Sequence, residues 1–270
     1  MLDLLMCVHC RGRLSAFHDG LSCFGCGALY RTIRGVPVLT PTPHAPEVRL
    51  DEAIARPISP TLRERLVALD GYWLNLGAGA TEGPLPNCIE LDTHVFRNTT
   101  VVADATRLPL TDECVSAVVS LGALDQLAEP ELAAAEIYRV LVPGGEVVIH
   151  TAFLQPIHAD RPHYYNATDA GVHHWFRRFE LKTCTVPPES HPVFSFARLA
   201  SELLRLSARL GEDAVRRLEG STLGEWDALW RDPTKRRGPL WDLMGRLPRG
   251  AQRPMAAGFE FRGRKPARPG

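Results

Sequence analysis

Five short apolar runs recur through the middle of the chain, separated by polar or glycine-rich stretches. They are Tyr72–Leu76, Cys88–Leu91, Thr100–Ala103, Val115–Leu121 and Glu146–Ile149. Nearly continuous β-branched runs with helical segments between them predict parallel strands covered on both faces. Glu129–Leu141 has helical propensity, with Leu132, Ala135, Tyr138 and Val140 available for one face. Pro143-Gly144-Gly145 is placed to end that helix. Phe179–Val186 predicts a sixth strand, and the alternation of Met255–Lys265 a seventh. Between them, Phe194–Gly211 sets Phe196, Leu199, Leu203, Leu206 and Leu210 on one side of an amphipathic helix. The fold class predicted is α/β: a doubly wound, seven-stranded sheet with a helical insertion, residues 191–250, before the last strand. That insertion is placed to act as a lid, and Trp226, Trp230 and Trp241 within it are expected to be core.

The first forty residues follow a different logic. Cys7, Cys10, Cys23 and Cys26 give the spacing C-x2-C-x12-C-x2-C. Each pair places two thiolates on a tight turn, and two turns offer four soft ligands to a tetrahedral zinc ion. Forty residues bury little apolar core, so a structural metal would supply much of their folding energy. The other three cysteines, Cys88, Cys114 and Cys184, fall in or beside strand runs and are expected in the core. An odd cysteine count and an N-terminus without a basic flank or a long apolar stretch argue against a disulfide framework and a signal peptide. A reducing cytoplasm is the expected compartment. Residues 41–60 carry five prolines and read as a linker. The predicted division is 1–40, a zinc ribbon; 41–60, a linker; and 61–270, the main domain. Leu21–Cys26 followed by Tyr30–Leu39 resembles the small zinc-ribbon family that includes the activator subunit of tRNA and protein methyltransferases. The resemblance implies a closed metal site that stabilises or docks, with no chemistry at the zinc.

A strand, then Gly77-x-Gly79, then an acid ending the next strand describes a nucleotide-type site. The ordered series around it resembles the class I S-adenosylmethionine-dependent methyltransferases of the type 11 group, which have a seven-stranded Rossmann-like sheet. Leu74–Gly79 resembles their first motif, Asp92 their ribose-binding acid, and Asp104-Ala105 before Leu108-Pro109-Leu110 their adenine-contacting segment. Ser120–Leu127 and Glu136–Gly145 resemble the two signatures that follow. The resemblance implies S-adenosylmethionine as cofactor, held by Asn75, Gly77, Ala78, Gly79, Asp92, Asp104, Ala105, Ser120 and Leu121. Two departures stand out: Asn75 replaces the usual acid of the first strand, and Ala80 a third glycine. Pro84 and Pro86 oppose the usual first helix, so Thr81–Asn87 is expected to be a loop. The incomplete glycine pattern disfavours NAD.

The loop after the fifth strand is rich in histidine and tyrosine. Phe153–Thr168 resembles a segment found in a large subgroup of these methyltransferases whose members lie near small-molecule or polysaccharide biosynthesis. His158 and His163 are candidate general bases, because imidazoles titrate near neutrality. Tyr164, Tyr165 and Asn166 are candidate acceptor contacts, and Thr168-Asp169 reads as the cap of a following helix. Net charge is zero, but residues 1–40 carry +2, residues 41–230 carry −10 and residues 231–270 carry +8. An acidic body does not suit a polyanionic partner, and no apolar run approaches the ~20 residues of a membrane helix. The expected function is methyl transfer to an oxygen, nitrogen or carbon atom of a small metabolite or sugar, with a homodimer compatible. Two alternatives remain open. An rRNA or tRNA methyltransferase is suggested by resemblance to the ribosomal-RNA guanine-N1 enzymes, which join a zinc module to this fold. A non-catalytic binding protein that keeps the fold is the other.

Overall fold

The computed structural model describes residues 2–42, 45–50, 56–157, 162–231, 237–257, 259–260 and 262. It divides into two compact units, Met1–Phe153 with Pro162–Cys184, and Leu154–Arg161 with Thr185–Gly270. In the first unit, β1 (Leu14–Phe17), β2 (Gly20–Cys23) and β3 (Leu29–Tyr30) form a small antiparallel sheet. The chain then makes a hairpin of β4 (Thr32–Ile33) and β5 (Val36–Leu39). After helix α1 (Pro60–Val67) come β6 (Tyr72–Leu76), β7 (Cys88–Asp92), β8 (Val101–Ala103) and β9 (Val115–Leu121). Helix α2 (Pro130–Val140) leads into β10 (Leu141–His150), and α3 (Asp169–Trp175) follows.

These strands build one seven-stranded sheet in the order β10-β9-β6-β7-β8-β5-β4. Every pairing in it is parallel except the β4–β5 hairpin. The strands β6 to β9 match the apolar runs of the sequence closely, and β10, at one edge, contains the fifth run but begins earlier, at Leu141. Trp73, Leu74, Ile89, Val101, Val102, Ala103, Val118 and Val119 have no measurable exposure, as strands covered on both faces require.

The two outer strands are not those expected. Phe179–Val186 forms no strand, and Leu181 and Val186 lie 59% and 66% exposed. The run has strand-forming residues, but no neighbouring strand pairs with it, and β-propensity without a cross-strand partner specifies little. The described part of Met255–Lys265 contains no strand either, and the remainder lies outside the described residues. Both places are filled at the opposite edge by β4 and β5, from the first forty residues. Val38 registers with Val102 and Leu39 with Ala103. Two other expectations change: Leu132 and Tyr138 face outward on α2, whose buried face is Ala133, Ala134, Glu136, Ile137 and Val140. Cys184 is exposed, while Cys88 and Cys114 are partly buried.

A second set of contacts ties the N-terminus to the sheet. Leu5 bridges Leu110, the Met6 N–H donates to Pro109 O at 3.0 Å, and the Thr111 N–H to Leu4 O at 2.9 Å. The segment they pair with is held by α2. Glu136 Oε2 accepts from the Leu108 N–H at 2.9 Å, and Arg139 donates to the carbonyls of Leu108 and Leu110. Glu136 also pairs with Arg139 at 2.7 Å and with Arg11 at 3.1 Å. Burial raises the Glu136 pKa, but the Arg139 and Arg11 guanidiniums outweigh it and hold the group below the ordinary carboxylate range. Leu5, Val8, Leu14, Leu21, Tyr30 and Leu39 share one apolar cluster with Leu108, Leu110, Ile137 and Val140. The linker adds a last tie, where the Arg49 N–H donates to Val95 O at 2.8 Å.

The second unit is helical: α4 (Pro192–Ser207), α5 (Glu212–Glu219), α6 (Leu223–Arg231), α7 (Pro239–Gly245) and α8 (Arg249–Gln252). Its core is Ala214, Leu218, Leu240 and Leu243, with Leu206, Leu247 and Ala251 beside them. Trp230 and Trp241 are 83% and 41% exposed, contrary to the expectation of core, and Trp226 is half-buried with its indole N–H on Ser221. Among the described residues, no helix is long and apolar enough to cross a membrane.

Glu136→Ala strands the half-buried Arg139 and leaves the Leu108 N–H without its acceptor. It is expected to cost about 3–5 kcal/mol in urea denaturation, as loss of one partner of a buried pair does. Arg11→Ala, at a side chain 46% exposed, is expected to cost within about 1 kcal/mol.

Candidate functional site

The carboxyl ends of β6, β7 and β9 carry the glycine loop and its partners. The N–H groups of Gly77 and Ala78 donate to Leu91 O at 2.8 and 3.1 Å, which bends the chain back over the end of β7. Gly77 has φ +69°, and a Cβ there would lie 2.3 Å from the Cβ of Ala123. Only glycine allows both the left-handed backbone and that approach. The Gly79 N–H then donates to Asp92 Oδ2 at 2.9 Å. Asp92 is 2% exposed, and its other oxygen accepts from the N–H groups of Thr93 and His94. The acid at the end of β7 therefore sets the glycine loop directly.

Asn75 is buried in β6, in register with Glu90 on β7 and Val119 on β9. With Gly77, Ala78 and Leu121 it lines a cleft of about 250 Å³. Ser120 is fully buried, and its hydroxyl has no hydrogen-bond partner among the described residues. An orphaned buried hydroxyl at a strand end is a group that a bound ligand can satisfy. Asp104 closes its own turn instead, accepting from the Thr106 N–H at 2.8 Å and hydroxyl at 2.7 Å, with Ala105 buried beside it. Asp92, Asp104, Ala105 and Ser120 are not among the residues that line the cleft.

Thr81–Asn87 contains no helix, as its prolines require. It is fastened to the sheet by side chains. Trp73 Nε1 donates to Pro86 O at 3.0 Å, and the Thr81 hydroxyl donates to Glu90 at 2.8 and 3.0 Å. Asn98 donates to Thr81 O and Oγ1. Burial pushes the Glu90 carboxyl up to about 7, the Thr81 hydroxyl offsetting only part of that.

The loop before α3 crosses the end of β9 by backbone bonds. The N–H groups of Tyr164 and Tyr165 donate to Asp125 O at 2.9 and 3.1 Å, and Tyr165 Oη donates to Ala128 O at 3.0 Å. Tyr165 also meets Trp175 edge-on at 5.4 Å. His163 Nε2 lies 2.9 Å from Tyr165 O, and a carbonyl only accepts, so Nε2 carries the proton. Asn166 is exposed. Thr168 caps α3 by accepting from the Gly171 N–H at 3.1 Å, as its position predicts. His158 lies outside the described residues.

The sulfurs of Cys7, Cys10, Cys23 and Cys26 all lie within 4.8 Å of one another. Cys7 and Cys26 are 3.5 Å apart, Cys10 and Cys23 3.4 Å. Four sulfurs at about 2.3 Å from zinc stand ~3.8 Å apart at the corners of a tetrahedron, so the set fits that ion. The His9 and Gly25 N–H groups donate to the sulfurs of Cys7 and Cys23, and Tyr30 Oη lies 3.0 Å from Cys7 Sγ. Burial raises the Cys7 pKa, but the Tyr30 hydroxyl and the backbone N–H groups of Cys10 and His9 outweigh it and bring the thiol to about 6.

The sequence missed Glu90 and the cationic wall of the cleft. Glu90 carried a signal, an acid inside the otherwise apolar run Cys88–Leu91. Arg56 and Arg63, which also line the cleft, carried none.

Residues 84–149 match a protein family described as methyltransferase domain. No curated protein matches the sequence. A Bacillus halodurans protein assigned to the methyltransferases aligns at 24% identity over 36% of this chain and 47% of its own, with a TM-score of 0.27. The chain thus spans about half of that relative. A chain from the Haloferax volcanii complex of the Trm112 methyltransferase activator aligns at 18% identity over 49% of this chain and 76% of its own, TM-score 0.32. Haemonchus contortus phosphoethanolamine N-methyltransferase 2, bound to phosphomonomethylethanolamine and S-adenosylhomocysteine, aligns at 13% identity over 63% and 48%, TM-score 0.36.

The Glu90 carboxyl has a folded pKa of about 7 against 4.5 when unfolded. The folded state keeps that proton longer, so its contribution is whole below pH ~4.5 and is lost as pH rises toward ~7. The loss is expected to be about 1–3 kcal/mol in denaturation curves at successive pH values, and Glu90→Gln is expected to remove it.

Proposed function

We propose that this chain is a class I, S-adenosylmethionine-dependent methyltransferase, a reading supported by the methyltransferase-domain match over residues 84–149, and that it methylates a small-molecule acceptor. The observation that carries the reading is the Gly79–Asp92 hydrogen bond at the ends of β6 and β7. It fixes the glycine loop on the acid that ends β7, in a sheet whose strands β7, β8 and β9 lie within the matched family segment. Gly77, Ala78, Gly79, Asn75 and Leu121 would hold the methionine side of the cofactor, Asp92 the ribose, and Asp104 and Ala105 the base. Ser120 supplies a hydroxyl that needs a partner. When bound, S-adenosylmethionine supplies a methyl carbon on a positively charged sulfur.

The protein's own part in such a reaction is alignment and exclusion of water, which together can lower a barrier by ~7–11 kcal/mol. We assign orientation of the acceptor to the Tyr164–Asn166 loop, which is held on Asp125 O. His163, whose Nε2 donates to Tyr165 O, is one candidate for taking a proton from an oxygen nucleophile. His158 is the second candidate base. The four cysteines hold a structural zinc, with no role in the chemistry. A small acceptor is supported by the size of the cleft and by the −10 charge of residues 41–230.

S-adenosylhomocysteine is expected to bind the purified chain in a calorimetric titration. Asp92→Asn keeps the side-chain shape and is expected to weaken it about 10–100-fold, the worth of one hydrogen bond to a charged group. Absence of binding in the unsubstituted protein overturns the reading. Tight, sequence-selective RNA binding replaces the small acceptor with a nucleic acid.

A further inference from the structure

The cleft opens where Thr81–Asn87 takes the place of a first helix, and two arginines on its wall make no ion pair with another described residue. Arg56 precedes α1 and Arg63 lies in it. Both are exposed, and neither has an ion-pair partner among the described residues. Arg56 lies across the turn that ends β9. A Cβ on Gly122 would stand 3.5 Å from its Nε and 3.6 Å from its guanidinium carbon. Asn75, Thr81 and the glycine loop line the same cleft, and Glu82 is the acid among its lining residues. Two cations facing one acid leave positive charge in a concave wall backed by Pro57, Ile58 and Leu85. Asn75 adds no negative charge, although the resembling family has an acid there. A guanidinium pair in such a wall suits the flat, two-oxygen face of a carboxylate or phosphate.

We propose that Arg56 and Arg63 form a seat for an anionic group, a carboxylate or phosphate, on the ligand that this cleft takes beside the glycine loop. The proposal rests on the cleft being the site of methyl transfer. The anion has two sources: the amino-acid carboxylate of the methyl donor, or an acidic group of the acceptor.

Calorimetry on the full chain and on an R56Q/R63Q variant separates them. Both side chains are exposed, so the variant is expected to melt with the unsubstituted protein, and R56K/R63K, which keeps the charge, is expected to retain most of the affinity. The probes are S-adenosylhomocysteine, 5′-methylthioadenosine, which lacks the amino-acid end, and inorganic phosphate, added both to the free protein and to protein saturated with S-adenosylhomocysteine. If the donor supplies the anion, the glutamine variant loses about 10–100-fold for S-adenosylhomocysteine and nothing for 5′-methylthioadenosine. If the acceptor supplies it, both nucleosides bind the two proteins alike, and phosphate binds the unsubstituted complex but not the variant. Either result supports the seat. Equal behaviour of both proteins toward all three probes overturns it. Failure of the methyl-transfer reading looks different: neither nucleoside binds, yet phosphate alone still distinguishes the two proteins.

Discussion

A parallel sheet cannot leave its last strand bare without exposing a row of unpaired backbone groups. Without the first forty residues that strand would be β8, only three residues long, Val101–Ala103. Its edge is closed by β5, which arrives from the cysteine-bearing segment and pairs Val38 with Val102 and Leu39 with Ala103. Asp104, the adenine-side candidate, follows β8 at once. The N-terminal forty residues thus pair with the strand that leads directly into Asp104. They lie in the same compact unit as the sheet.

That arrangement explains why two helix residues outside the cleft carry so many bonds. Glu136 and Arg139 lie on α2, yet between them they hold Leu108, Leu110, Asp112 and Arg11. Residues 108–112 are the rail on which Leu4–Met6 runs. Further along the sheet the same economy recurs. The loss of a first helix leaves a loop with few backbone bonds of its own, and Thr81, Asn98 and Trp73 fasten it through Glu90 and Pro86. The result is a cleft rather than a packed face beside the glycine loop.

Much of this was legible from residue order. The strands β6 to β10, the helix-less loop, the capped helix after Thr168 and the four-sulfur cluster all follow from local chemistry. Each depends on residues close in sequence or on a spacing that only one geometry uses. What local chemistry could not give was partnership. Phe179–Val186 has the composition of a strand, but whether it becomes one is decided by a neighbour. Val36–Leu39 has the same composition and does find one, in a part of the chain sixty residues away. Arg56 and Arg63 were invisible for the same reason, because a surface arginine acquires meaning only from the wall it lines. Leu132 and Tyr138 fit a helical face by spacing, yet Glu136 and Ile137 took the buried one, drawn by Arg139 and the rail beneath.

The central claim is that ribbon and sheet order together. Amide hydrogen exchange, compared between the chain loaded with zinc and the chain treated with a chelator, tests it most directly. The account expects protection to fall together in residues 14–30, in Val36–Leu39 and in Val101–Ala103, while the inner strands Tyr72–Leu76 and Val115–Leu121 keep more of theirs. Loss confined to residues 1–30, with Val101–Ala103 unchanged, would contradict it.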